Sequence, residues 1–262
     1  MVSQLKEVLH SVKANTFIEV YTLAEKTSYV NTQNCYGETA LIYAAATGNK
    51  ALVDGLLHNG SRINHQDNEG RTALHWAVDK GHLEIVLLLT GNRSNVNIPD
   101  GIHKTPLILA VENNRPEIAE HLLKIPEIRV DHRDHGGNTA LHWAVNVGSK
   151  SLVKLLLQHK AQVNIQNNFG STPLIWAAKN GNNELTQLLL THKADINIYD
   201  NLERNALMRA IENNHRQTAE ILLNHFNISR PGIRKQIDQA SNFAKIHGHA
   251  DLAVLIREKI KA

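Results

Sequence analysis

The chain has one cysteine, Cys35, among 262 residues, so an internal disulfide is excluded and an intracellular, reducing setting is the expectation. The N-x-S sequons at Asn92 and Asn227 carry little meaning in such a setting. No apolar run approaches the roughly eighteen residues of a membrane span, and no apolar segment opens the chain as a secretory signal would. A Gly-rich phosphate loop, a nucleophile elbow and an H-E-x-x-H helix are also missing, so the sequence offers no catalytic residue and implies no cofactor. Charge of one sign is scarce too. The net charge is +3, and between Arg230 and Ala262 seven Lys/Arg stand against three acids. That basic end reads as a solvated cap, with neither nucleic acid nor membrane expected as a partner.

What the chain does have is repetition. TALHWAV occurs at 72 to 78 and again at 139 to 145, a spacing one residue longer than twice 33, and TPLILA stands between them at 105 to 110. Threonine recurs at Thr39, Thr72, Thr105, Thr139 and Thr172, with Leu two residues later (Leu41, Leu74, Leu107, Leu141, Leu174) and Ala three beyond that (Ala44, Ala77, Ala110, Ala144, Ala177). A sixth copy, NALMRA at 205 to 210, keeps Leu and Ala. Polar turns precede the copies: NCYG, DNEG, DHGG, NNFG and DNLE. The pattern resembles the ankyrin repeat.

Physical chemistry supports the same reading. In each unit two apolar-periodic runs predict two amphipathic helices. Gly48, Gly81, Gly148 and Gly181 fall between the runs, with Asn114 and Asn214 in the same place in repeats three and six, and each is expected to end a first helix with positive φ. The threonines read as N-caps, and Pro106 and Pro173 take the first helical position. One such unit cannot bury its apolar face alone, so the leucine clusters (Leu56 and Leu57; Leu87 to Leu89; Leu122 and Leu123; Leu155 to Leu157; Leu188 to Leu190; Leu222 and Leu223) are expected to pack between neighbours. The predicted fold is an all-α ankyrin-repeat solenoid of about sixteen helices. Its expected domains are an N-terminal capping helix pair (1–33), six repeats (34–66, 67–99, 100–133, 134–166, 167–199 and 200–230) and a C-terminal capping pair (231–262).

Repeat three departs from the pattern. In IPDGIH (98 to 103) the glycine moves two places earlier, and KIPEIRVD (124 to 131) carries the extra residue, so repeats three and four are expected to meet at the weakest seam.

Sixteen histidines invite a metal, but His132 and His135 (H-x-x-H) and His247 and His249 (H-G-H) lack the further ligands of a metal site, and none is expected. The ankyrin resemblance makes His75 and His142 structural hydrogen-bonders that tie one turn to the next. It also implies a non-catalytic scaffold that grips a protein partner with turn tips and a concave groove, and a monomer in an intracellular setting is expected.

The candidate site therefore lies where the fold dictates little and this chain is unusual. One helix position reads Tyr43, Trp76, Leu109, Trp143, Trp176 and Arg209, collecting every tryptophan of the chain. Tyr36, Ile102, Phe169 and Leu202 are apolar residues at turn tips, and Lys80 and Glu112 flank the column. The column is either a row of binding anchors or part of the core. Two other readings stay open. A richness in Asn, Lys and Ile suits a bacterial effector-type ankyrin protein acting on a host-cell protein, and the Trp column would suit a small molecule or nucleotide.

Overall fold

The computed structural model describes residues 30–225 and 233–261, and among them every regular element is an α-helix. The chain divides into two compact units, Met1–His135 and Gly136–Ala262.

The first unit contains α1 (Ala40–Thr47) with α2 (Lys50–His58), α3 (Ala73–Lys80) with α4 (Leu83–Gly91), and α5 (Pro106–Glu112) with α6 (Pro116–Leu123). The second contains α7 (Ala140–Asn146) with α8 (Lys150–Gln158), α9 (Pro173–Lys179) with α10 (Asn183–Thr191), α11 (Ala206–Glu212) with α12 (Arg216–His225), and a last pair, α13 (Ile233–Ile246) with α14 (Ala250–Lys261). Within each unit, first helices stack on first helices and second on second: α1 on α3 on α5, and α7 on α9 on α11 on α13. The two helices expected before Asn34 lie outside the described residues.

Local chemistry sets the helix ends. Thr39, Thr72, Thr105 and Thr172 sit in extended conformation and accept from a backbone N–H of the first turn, as does Asn205 in repeat six. Gly48, Gly81, Gly148, Gly181, Asn114 and Asn214 all take positive φ after the first helices, as expected. His75 and His142 build reciprocal caps with Thr72 and Thr139. They also stitch repeats together. His75 Nε2 lies 3.2 Å from the Lys104 carbonyl and His142 Nε2 3.0 Å from that of Ser171.

The core is narrower than the leucine clusters suggest. Leu56, Leu89, Leu122, Leu156, Leu189 and Leu222 are buried, whereas their neighbours in α2, α4, α8 and α10 are half-buried and Leu87 is 44% exposed. A second helix packs on one face only, so three consecutive leucines cannot all point inward.

Repeat three is more regular than its sequence. The second helices of repeats one, two, four and five are followed by a left-handed residue: Gly60, Arg93, Lys160 and Lys193. Pro126 stands at that place after α6, and a proline ring cannot reach positive φ. Two successive turns, Ile125 N–H to Leu122 and Ile128 N–H to Ile125, take the extra residue instead.

Candidate interaction surface

In repeats one, two, three, five and six the turn is built from its first side chain. One oxygen of Asn34, Asp67, Asp100, Asn167 or Asp200 accepts from the N–H groups two and four residues later, at 2.8–3.0 Å. The fourth residue is left-handed: Gly37, Gly70, His103, Gly137, Gly170 and Glu203. The shifted glycine of repeat three is thereby explained. His103 takes the left-handed place, while Gly101 admits a close backbone approach: its N–H lies 2.7 Å from the Glu69 carbonyl, and an added Cβ would come within 2.8 Å of that oxygen.

Tips are joined in sequence. In the first unit Asn68 N–H donates to Tyr36 (3.0 Å) and His135 N–H to Ile102 (3.0 Å). In the second, Asn168 N–H donates to Gly136 and Asn201 N–H to Phe169, both at 3.0 Å. The third residue of each turn thus sits on a hydrogen-bonded rail with its side chain turned outward. Tyr36 is 68% exposed, Ile102 53%, Phe169 70% and Leu202 63%. Apolar groups held in water by a rigid turn have no reason in the fold, and that geometry suits contact with another molecule.

The helix column divides differently. Leu109 is buried, while Tyr43, Trp76, Trp143, Trp176 and Arg209 are half-buried. Trp76 Nε1 donates to Asp67 Oδ2 at 2.8 Å, with the Arg71 guanidinium 4.9 Å and the Lys80 ammonium 5.4 Å from its ring centroid. Arg209 makes the same link in repeat six, its Nε 2.7 Å from Asp200 Oδ2. These column residues brace their own turn against the following helix. Trp143 and Trp176 meet edge to face at 6.4 Å, and Trp176 also meets His142 at 5.4 Å.

Ion pairs fix the charged rim. Lys104 Nζ lies 2.6 and 2.7 Å from the Glu112 oxygens, and Arg204 and Arg209 both pair with Glu212. Burial pushes the Glu212 carboxyl up, but the two guanidinium groups outweigh it and hold it below the ordinary value. Asp79 behaves alike: burial opposes its charge, and Lys80 with Asn113 overcomes that penalty. Burial lowers His75 to about 4, so a neutral ring holds the inter-repeat bond. Among the described residues no cluster of three metal-ligating side chains occurs, and no helix is long and apolar enough to cross a membrane.

The recurring turn, helix pair and His-Thr cap form one repeated unit, and the family model for ankyrin repeats (three copies) matches residues 9–100, 86–167 and 146–231. The chain belongs to the ankyrin-repeat family. Ankyrin repeats of this kind serve as protein-interaction modules, and the fold is generally non-catalytic. No curated protein matches the ankyrin chain. Among solved structures it is similar to the ankyrin repeat domain of Bcl-3, described as a unique member of the IkappaB protein family, with a TM-score of 0.74 and 26% identity over 82% of this chain and 96% of that one.

One ankyrin position escaped the sequence pattern. Phe243, in α13, stands 34 residues after Arg209, as Gly248 does after Asn214, and so continues the column into the last helix pair. Its ring lies 4.0 Å from that of His247 and 5.8 Å from the Arg204 guanidinium. The missing signal was the turn: α13 begins at Ile233, so helix replaces the Asx turn that opens repeats one, two, three, five and six. Ile246, 81% exposed, follows one turn of helix later.

Proposed function

We propose that this ankyrin chain is a non-catalytic scaffold whose turn tips bind a partner protein: Tyr36 and Ile102 in the first unit, Phe169 and Leu202 in the second. The observation that carries this reading is the exposure of four large apolar side chains at one turn position, each on a hydrogen-bonded turn. Rigid apolar anchors lose little entropy on binding, which suits them to a protein interface. Trp76 and Arg209, each bonded to the first residue of its turn, brace the tips from below, and Tyr43, Trp143 and Trp176 add half-buried aromatic area at the same helix position. Lys80 and Glu112 form part of the charged rim. The proposed repeat boundaries are those at 34–66, 67–99, 100–133, 134–166, 167–199 and 200–230, with a capping helix pair at 231–262.

Affinity capture on the immobilised full chain, read by mass spectrometry, tests the proposal. A protein retained by the wild type should be lost from a variant carrying Tyr36→Ser, Ile102→Ser, Phe169→Ser and Leu202→Ser with an unaltered circular dichroism spectrum. Equal retention by both proteins would refute the role of the tips.

A further inference from the structure

Within the second unit the tips border a cavity of about 590 Å³ lined by Phe169, Ile175, Trp176 and Leu202 together with Asn146, Lys179, Asn180 and Asn201. Its chemistry falls into three parts. Phe169 and Leu202 give two exposed apolar lips, and Trp176 with buried Ile175 gives an apolar wall, enough to receive one large side chain. Asn146 and Asn180 are exposed amides on the rim, each with a donor and an acceptor to match the N–H and C=O of an extended main chain. The charges decide the sign of the ligand. Arg209 also lines the cavity but is committed to Asp200 and Glu212, and Arg204 is paired with Glu212. Lys179, exposed at the end of α9, makes no ion pair among the described residues. A cation left over beside an apolar slot favours a carboxylate close to the inserted side chain.

We infer that this cavity takes an extended segment of the partner protein in which a large apolar residue is flanked by Asp or Glu, the apolar side chain entering between Phe169 and Leu202 and the carboxylate meeting Lys179. The inference rests on the proposed role of the tips and names the chemistry of what they hold.

Selection of a random linear peptide library displayed on phage against the full chain tests it. Wild type should enrich a large apolar residue with Asp or Glu at a fixed short spacing. Lys179→Glu should keep the apolar residue and exchange the acid for Lys or Arg, and should weaken a synthetic copy of the wild-type peptide by roughly fivefold or more. Phe169→Ala with Leu202→Ala should weaken that peptide by roughly thirtyfold at an unchanged melting temperature. Failure to enrich any consensus, a consensus without acid, or one that Lys179→Glu leaves intact would overturn the inference. Peptides whose binding instead depends on Tyr36 and Ile102 would overturn it while leaving the scaffold reading standing. Peptides indifferent to all four tips would remove both.

Discussion

At the scale of single residues, the structure turns on a few groups held in unfavourable states. His75 is buried and neutral, with its pKa lowered from 6.5 to about 4. The unfolded chain binds a proton there near pH 6.5 and the folded chain does not, so His75 contributes stability above that pH, and the contribution drains away as pH falls from about 6.5 towards 4. Loss of about 2 to 4 kcal/mol over that window is expected. Melting temperatures between pH 7 and pH 4.5 check it: wild type should fall steeply, and His75→Gln should begin lower and fall less. Parallel curves would show that the imidazole is not the titrating group. Lys160 is a second case, a non-glycine at φ 63 after α8. Because the left-handed region costs an L-residue about 1 kcal/mol, Lys160→Gly should raise stability to urea by up to about that amount, less the entropy that glycine adds to the unfolded chain. A loss of stability would mean that the lysine side chain holds something there.

At the scale of elements, burial follows the face and not the composition. In α4, Leu89 is fully buried while Leu87 is 44% exposed. Leu89→Ala should therefore cost about 2 to 5 kcal/mol, whereas Leu87→Ala should cost well under about 1 kcal/mol. Comparable losses in chemical denaturation would place Leu87 in a packed environment after all. The same contrast marks how far the sequence could be read. Threonine caps and the glycines after first helices were legible because each is a local rule that few residue types satisfy, while the histidine ties were legible only through the ankyrin resemblance. The leucine triplets misled because hydrophobicity carries no direction until the helix phase is known. Repeat three misled in the opposite sense, since His103 and the two turns around Pro126 restore the geometry with unusual residues. The exposed tips were legible from turn position alone. The column was legible as a repeat position but its bracing role was not, because the bond from Trp76 to Asp67 and the pairing of Arg209 with Asp200 join residues nine apart across a turn, which no helical or strand period displays.

At the scale of the whole molecule, stability in a repeat protein is a sum of repeat and neighbour terms, so the least regular join should open first. The unit Met1–His135 ends a few residues beyond the Pro126 turns, where the left-handed residue that closes repeats one, two, four and five is missing. Hydrogen exchange should be fastest between about residues 124 and 136, outside the chain ends. Uniform protection across that stretch would contradict the expectation. The proposed function at this scale rests on tips that the fold does not need. The most direct measurement is calorimetric titration of the captured partner against wild type, Trp143→Ala and the four-tip serine variant, each with its melting temperature. The account predicts that the tip variant loses affinity by roughly thirtyfold or more at an unchanged melting temperature, whereas Trp143→Ala lowers the melting temperature as well. Undiminished affinity in the tip variant would contradict it.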